Sequence, residues 1–449
     1  MKLKIGLATL ACGTTLLASA ALPARAQTDR SPAPPAYVVY DTGTLGGTVG
    51  VGNGISNIGW ISGVSTTAEG AVHAALWSPG RVIDLGTLGG ANSAVEWPVK
   101  NNHGLVVGIS ESATVDPNGE KFSCDPGFIA THGHTCLPFL WQNGTITQLP
   151  LLGGNNGFAT GINNSGQAVG WAETALRDPS CVLPQVLQFE AVLWGPGTSE
   201  RRVLPPFPGD STSAATAIND AGEVVGISGD CGDAVGAFSA RHALLWEKGR
   251  PMKLPTLGGK GWNTPMAINN AGAVVGFSDL AGDVSGGVLT LNFQAFLWTR
   301  GDGIQNLHTL PGDVISEATG INDFGQIIGT SFDASFNSRV FLWQDGRMYD
   351  LNTLLQPNSP LYLLASGDIN DRGEITGLAC VVEGGACSGV LHAFVAIIVA
   401  APAASAGAAS ALPGADVSAM RPAVPAEVRE RVLQHQHLGH MTPAGAAAP

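Results

Sequence analysis

Residues 256–298 read TLGGKGWNTPMAINNAGAVVGFSDLAGDVSGGVLTLNFQAFLW and contain one complete copy of the repeat that builds this chain. Its steps TLGG, AINNAGAVVG and QAFLW recur along the sequence. The Leu-Trp pairs that end the copies lie at Trp77, Trp141, Trp194, Trp246, Trp298 and Trp343, and a seventh slot, Ala396, lacks the tryptophan. A period of about fifty residues is typical of a supersecondary unit that stacks on its neighbours because it cannot bury its apolar face alone.

Each copy predicts four short β-strands. The apolar run at 266–268 ends in Asn269-Asn270-Ala271-Gly272, and 273–276 leads away from it, which is typical of a hairpin with glycine in a left-handed position. The third and fourth strands are expected at 294–298 and 304–307. Four-stranded units of this length indicate propeller blades. A parallel β-solenoid is the alternative, but it uses coils of about 20–30 residues without tight antiparallel hairpins.

The two ends of the repeat region complement each other. The seventh copy stops after its third strand at 391–398, and an unaccompanied strand at 36–40 precedes the first TLGG. A propeller ring closes when an N-terminal strand completes the last blade, because this removes an exposed sheet edge. We therefore predict an all-β fold over residues 27–398, a seven-bladed propeller of four-stranded blades closed by its N-terminal strand.

The segments outside the repeats have distinct compositions. Residues 1–26 resemble a signal peptide, with two early lysines, an apolar run at 5–22 and Ala24-Arg25-Ala26 before Gln27. This predicts an exported protein, extracellular or periplasmic. Residues 399–449 are rich in Ala, Pro, Gly and Ser and predict a disordered tail with at most a transient helix at 427–438. No later stretch is long and apolar enough to span a bilayer.

Six cysteines follow the signal peptide, and an even number in an exported chain predicts disulfides. Cys124 and Cys136, like Cys380 and Cys387, would each close a short loop within one repeat. Cys181 and Cys231 lie in equivalent loops of neighbouring repeats and would join two units. Free buried thiols are the alternative.

Charge limits the classes of partner. Charged residues make up 13% of the chain and the formal net charge is −13, which disfavours nucleic acids and anionic membrane surfaces. We expect a monomer with an extracellular protein or a glycan as its unknown partner. We also expect no cofactor; a structural cation is the alternative, although no residue pattern supports it. His73, His242 and His392 share one repeat slot but would be dispersed around the ring, too far apart for a common metal.

The repeat resembles that of the HAF-repeat family, probable extracellular repeat proteins of bacteria. The tripeptide that gives the family its name is His392-Ala393-Phe394, and variants of it are HAALW at 73–77, HALLW at 242–246 and QAFLW at 294–298. The TLGG and IN-x-x-G-x-V-V-G steps match as well, and the resemblance covers about residues 36–398. It implies secretion and a β-rich repeat, and it implies no activity and no catalytic residue.

Function is expected where the copies differ. The TLGG links and the variable loops (109–136, 171–189, 227–241, 277–293 and 330–338) should share one face, and such loops commonly carry binding. Two links place a carboxylate there, Asp210 and Asp313, which we take as binding candidates facing a central pocket; turn capping is the alternative. No nucleophile–base pair, P-loop, dinucleotide fingerprint or HExxH motif is present.

These observations favour a non-catalytic binding scaffold. Whether the protein is an enzyme stays open, because propeller active sites assemble from distant loops. The alternative is a polysaccharide lyase or glycosidase with carboxylates on the loop face, and a structural component of the envelope or biofilm matrix is a third class. A loop-face pocket with two carboxylates, or with a histidine and a carboxylate, would favour the enzyme.

Overall fold

The structure is a computed structural model that describes residues 34–120, 133–197, 199–232, 240–285, 288–289, 292–399 and 421–436. Antiparallel strands dominate it, and in each separate four-stranded sheet the strands follow one another in chain order, starting from the axis of a ring. We call each four-stranded unit a blade. In the described residues no helix has the length and apolar character needed to cross a bilayer.

Blades 2 to 6 are separate four-stranded sheets. Blade 2 contains β6 (Gly89–Ala94), β7 (Val106–Val115), β8 (His134–Gln142) and β9 (Thr145–Gln148). Blade 3 contains β10 (Gly153–Ile162), β11 (Ala168–Arg177), β12 (Leu187–Trp194) and β13 (Arg201–Leu204). Blade 4 contains β14 (Thr212–Ile218), β15 (Val224–Gly229), β16 (His242–Glu247) and β17 (Arg250–Lys253).

Blade 5 has a small hairpin in its variable loop. Its sheet contains β18 (Gly258–Ile268), β19 (Val274–Leu280), β22 (Phe293–Thr299) and β23 (Gly303–His308), and the hairpin is formed by β20 (Val284–Ser285) and β21 (Val288–Leu289). Blade 6 contains β24 (Ile315–Ile321), β25 (Ile327–Phe332), β26 (Ser338–Gln344) and β27 (Arg347–Asp350), followed by a 3-10 turn at Leu351–Leu354.

Blades 7 and 1 form one eight-stranded sheet at the seam of the ring. Blade 7 contains β28 (Leu361–Ile369), β29 (Ile375–Glu383), β30 (Ala386–Val399) and, as its fourth strand, β1 (Ala36–Asp41). Blade 1 contains β2 (Gly46–Ile55), β3 (Ile61–Thr67), β4 (Val72–Ser78) and β5 (Arg81–Asp84). A parallel bridge from Val49 to Leu391 joins the two halves. The predicted propeller and its closure by the N-terminal strand are confirmed, since β1 pairs antiparallel with β30 from Ala36 to Asp41.

The glycine that ends each VVG-like step has a steric cause. A Cβ on any of these seven glycines would lie 1.9–2.2 Å from a backbone oxygen of the blade's first strand, far inside contact distance. At six of the seven, the first strand is bulged beside this glycine, which brings its backbone onto the second strand. The repeated glycine therefore permits the close approach of the two innermost strands.

The hairpin asparagines form two hydrogen-bonded rings around the axis. In six of the seven loops the first asparagine donates from Nδ2 to a carbonyl of the next blade at 2.8–3.1 Å. The donors follow one another as Asn101, Asn163, Asn219, Asn269, Asn322 and Asn370, and the last of them donates to the carbonyl of Ser56, which continues no further. The second residue of each loop donates its backbone N–H to a side-chain oxygen of the next loop at 2.8–2.9 Å, in a closed circle of Asn57, Asn102, Asn164, Asp220, Asn270, Asp323 and Asp371. The circle closes only after seven loops, so these contacts fix the blade number.

Two predicted disulfides are present. Cys181–Cys231 joins the variable loops of blades 3 and 4, and Cys380–Cys387 closes the β29–β30 hairpin. Cys136 is also disulfide-bonded, but Cys124 lies outside the described residues, so that predicted pair is not described. Residues 1–33, which include the expected signal peptide, lie outside the described residues as well.

The C-terminal tail differs from the prediction at residues 421–436. We expected disorder with at most a transient helix at 427–438, but Ala426–His435 forms helix α1. Val428 and Val432 are each only 1% exposed and pack into the core cluster on the loop face. The Ala/Pro-rich composition did not indicate this contact, which depends on two valines one helical turn apart.

Candidate functional site

The axis of the propeller carries charged residues at its hairpin end. Lys100 extends from blade 2 across the ring, and its Nζ lies 3.0 Å from Asp368 Oδ1 in blade 7. The same Nζ donates to the carbonyl oxygens of Ile321 at 2.5 Å and Ile369 at 3.2 Å. Burial raises the pKa of Asp368, while the Lys100 ammonium opposes that rise. This ion pair closes the hairpin end of the axis beneath the asparagine rings.

A small pocket lined by both apolar and ionisable side chains lies at the loop end of the axis. Glu317 on β24, Glu96 in the β6–β7 connection and His435 at the end of α1 all line it, together with the side chains of Asn53 and Thr319. Its volume is about 30 Å³, enough for about two water molecules if each needs 10–15 Å³. We call this the axial pocket.

Glu317 is the most deeply buried acid of the axial pocket. Its side chain is 2% exposed, and its Oε1 has no hydrogen-bond partner among the described residues. Burial raises the pKa of Glu317 well above its usual range, because an ionised carboxylate loses solvation in a dry site. The pocket therefore contains a protonatable carboxyl group beside a second acid and an imidazole.

Helix α1 covers the axial pocket, and three contacts hold the tail in place. The backbone of Ala423 pairs with the β29–β30 hairpin, accepting from Cys387 N at 3.0 Å and donating to the Gly385 carbonyl at 3.3 Å. Arg421 lies 3.9 Å from Asp333 of blade 6. The two buried valines then place His435 and Gln436 at the pocket.

The sequence-predicted aspartates are engaged within their own blades. Asp210 Oδ2 lies 2.7 Å from His242 Nδ1 and accepts from Ser228 Oγ at 2.7 Å. Asp313 forms a buried ion pair with Arg339 Nη2 at 2.7 Å. Neither aspartate lines the axial pocket, so the expected position facing a central pocket differs from the one observed. Ligand binding by Asp210 and Asp313 is untested and stays a prediction.

The shared histidine slot has the same kind of partner in three blades. His73, His242 and His392 each place Nδ1 2.6–2.8 Å from an aspartate, which is Asp84, Asp210 and Asp41 respectively. In blade 6 the slot holds Arg339, whose Nη1 lies 3.1 Å from Asp350. The side chain in this slot thus joins the third strand to the fourth strand, or to the link that precedes the blade. The three histidines lie in three different blades around the ring, as expected.

Sequence reasoning missed the axial residues, although each one interrupts the repeat. Lys100 stands where the other six copies have isoleucine. Glu317 occupies the slot that holds Val51, Phe158 or Ala214 elsewhere, and Asp368 occupies a slot of small or apolar residues. A charged residue in a slot that is uncharged in the other copies was the signal that could have identified them.

Comparisons with known proteins identify no family. No protein-family model matches the chain, and no curated protein matches it. Among solved structures it is similar to a dipeptidyl peptidase 4 of Porphyromonas gingivalis, with 11% identity over 72% of this chain and 49% of that chain and a TM-score of 0.32. A Trypanosoma rangeli sialidase has 10% identity over 72% and 56% with a TM-score of 0.35, and AofleA from Arthrobotrys oligospora has 10% over 82% and 94% with a TM-score of 0.28. The chain spans about half the length of the peptidase.

Proposed function

We propose that this protein is an exported, non-catalytic binding scaffold whose loop face binds an amphipathic helix of an extracellular protein. The observation that supports this is the docking of α1, in which Val428 and Val432 insert side by side into the loop-face core. An apolar pair at i and i+4 is the usual anchor of a helix in a groove. In this proposal α1 is the intramolecular occupant of the site, and an external helix competes with it.

The exported state and membership of the HAF-repeat family are part of this proposal. The two disulfides support an oxidising compartment. Sequencing the N-terminus of the mature protein tests export: a start at Gln27 is expected, and a mature chain that keeps Met1 would contradict it.

Displacing α1 in the full-length chain tests the binding proposal. Val432→Glu places a carboxylate in the apolar groove, and a fluorescent peptide of residues 421–436 is then titrated in trans. The variant should bind the peptide, whereas the wild type should not, because a tethered helix competes at an effective concentration of about millimolar. Ala426→Glu, at an exposed position of the same helix, is the matched control and should behave as wild type. Failure of the folded Val432→Glu variant to bind the peptide would rule out the groove.

A second candidate is an enzyme that acts on polysaccharides. The observation that favours it is the presence of Glu96, Glu317 and His435 around one pocket on the loop face, since glycosidases use paired carboxylates. With α1 docked, about 30 Å³ admits no sugar ring, so this activity would require release of the helix. Two assays on Val432→Glu decide between the enzyme and the scaffold: one measures new reducing ends, which a glycosidase releases, and the other measures unsaturated products, which a lyase releases. The double variant Val432→Glu/Glu317→Gln is the control. Turnover lost on adding Glu317→Gln supports the enzyme, and absence of turnover in both supports the scaffold.

A further inference from the structure

The seam between blades 7 and 1 contains a cleft at the hairpin end of the ring. We call it the seam cleft; its volume is about 660 Å³, within the range of about 300–1,000 Å³ found for small-molecule sites. Trp77 lies among the residues that line it and is almost fully buried, whereas Tyr40 is 54% exposed at the edge. Further apolar lining comes from Ile58, Ile61, Val82, Val395 and Ile397.

The cleft follows from the way the ring closes. In blade 1 a short turn, Ser78–Arg81, joins the third strand to the fourth. Blade 7 has no such turn because β1 comes from the other end of the chain, and β30 and β1 continue to pair beyond the Ala396 slot, with Ile397 opposite Val38 and Val399 opposite Ala36. This extension and the turn of blade 1 form opposite walls of the cleft.

The carboxylates in the lining already have partners. Both oxygens of Asp41 are engaged, one by His392 Nδ1 at 2.6 Å and one by the Gly43 N–H at 2.8 Å. Glu374 Oε2 accepts from Asn370 Nδ2 at 2.7 Å and from Arg372 Nη2 at 2.5 Å. Both acids are therefore already engaged by donors of the protein.

Arg81 is the charged group that the cleft leaves unneutralised. Its Nε donates to Ser78 Oγ at 3.3 Å, and among the described residues no carboxylate pairs with its guanidinium. A guanidinium fork binds a carboxylate or phosphate through two parallel hydrogen bonds. The lining thus consists mostly of apolar side chains, with the unpaired guanidinium of Arg81 on the side formed by blade 1.

We propose that the seam cleft binds an amphipathic anion, a molecule with an apolar chain and a terminal carboxylate or phosphate. The chain lies between Val395 and Ile397 of blade 7 and Val82 of blade 1, and the head group binds Arg81. This site is separate from the loop-face groove, and the inference does not depend on the helix-binding proposal.

Isothermal titration calorimetry of the full chain with three ten-carbon probes tests the site. Decanoate and decyl phosphate are used below their micelle concentrations, and neutral decanol is used below its solubility limit. At least one anionic probe should bind at micromolar concentration, and decanol at least tenfold more weakly. Arg81→Gln should weaken the anionic probe at least tenfold, to the level of decanol. Arg250→Gln is the matched control, because Arg250 opens the fourth strand of blade 4 as Arg81 opens that of blade 1.

A second pair of variants locates the apolar chain. Ile397→Trp places a larger ring against the path of the apolar chain and should weaken binding of all three probes, whereas Ile398→Trp, on the opposite face of the same strand, should leave binding unchanged. The proposal is overturned if neither anion binds at millimolar concentration, if Arg81→Gln binds as tightly as Arg250→Gln, or if folded Ile397→Trp binds as tightly as Ile398→Trp.

Discussion

The first asparagine of each hairpin loop makes contacts in two directions. Asn219 Oδ1 accepts the Glu223 N–H within its own loop, and Asn219 Nδ2 donates to the Asn269 carbonyl of the next blade. One side chain therefore shapes the turn and joins two blades. The sequence indicates only the hairpin turn; it does not predict the contact between blades, because that contact requires the loops to converge on the axis.

Ser56 is the exception in this ring and supplies a prediction. Its hydroxyl bonds within the loop to Trp60 and is too short to reach blade 2. Ser56→Asn should add the missing amide bond to the Asn101 carbonyl, since the neighbouring contact from Asn57 N to Asn102 Oδ1 already has the ordinary length of 2.8 Å. We expect stabilisation of about 1 kcal/mol, measured as a higher melting temperature.

Ser56→Ala is the matched control for that variant. It removes the bond to the Trp60 N–H without adding a contact between blades, so its melting temperature should fall. A Ser56→Asn protein that melts at or below the wild-type temperature would contradict the role assigned to the ring.

Asp279 predicts a pH dependence of stability. Burial raises the pKa of Asp279 to about 7; the Trp262 N–H opposes the rise, and the neighbouring Asp283 carboxylate adds to it. Between the unfolded pKa of about 3.9 and about 7, the folded state then binds more protons than the unfolded state, so stability falls as pH rises through this window and is level above it. Asp279→Asn should reduce the loss of stability between pH 5 and pH 8 by on the order of 1–2 kcal/mol.

Calorimetric melting at the two pH values measures this difference. Glu69→Gln, at an exposed turn, is the control and should keep the wild-type pH slope. An unchanged slope in Asp279→Asn would show that Asp279 is ionised in the folded protein throughout the range.

Strand β1 is the element that completes the last blade. Tyr37 is fully buried, and its carbonyl accepts the Gln356 N–H, so β1 also contacts the link between blades 6 and 7. Deleting residues 36–42 should lower the melting temperature of the whole ring by more than about 10 °C, because it exposes the edge of β30 and opens the core at the seam.

Two tyrosines of β1 provide a graded test of the same point. Tyr37→Ala should cost about 3–5 kcal/mol as a core truncation, while Tyr40→Ala, at an exposed position, should cost less than about 1 kcal/mol. Equal melting temperatures for these two variants would contradict the closing role of β1.

In the whole molecule, both ends of the axis are closed by residues that the repeat does not supply. The Lys100–Asp368 pair closes the hairpin end, and α1 covers the loop end. The repeated residues build the ring, and the exceptional ones occupy its centre. This difference between repeated and exceptional residues also explains which features could be predicted from the sequence.

The blades, their number and the closing strand were predictable because every copy faces the same local constraints. The VVG glycine must allow a close backbone approach, and the Trp194 indole must reach the Pro150 carbonyl at 2.8 Å, as Trp246 reaches Pro205. The axial pocket was not predictable in this way, because Glu96 and Glu317 occur once each and meet only after the ring has closed. Asp210 was selected for its position in a link, but the partner that engages it, His242, lies on another strand.

The pairing of β1 with β30 also has a consequence for folding. Asp41 and His392, which bond to each other across the seam, are separated by 351 residues, so β1 is synthesised first and receives its partner almost last. Loop-closure entropy increases only slowly with length, but chains with many non-local contacts fold slowly, so we expect this contact to form late. Until that contact forms, two strand edges are exposed and can pair with other chains. The seam is therefore the place where a folding molecule is most open to aggregation.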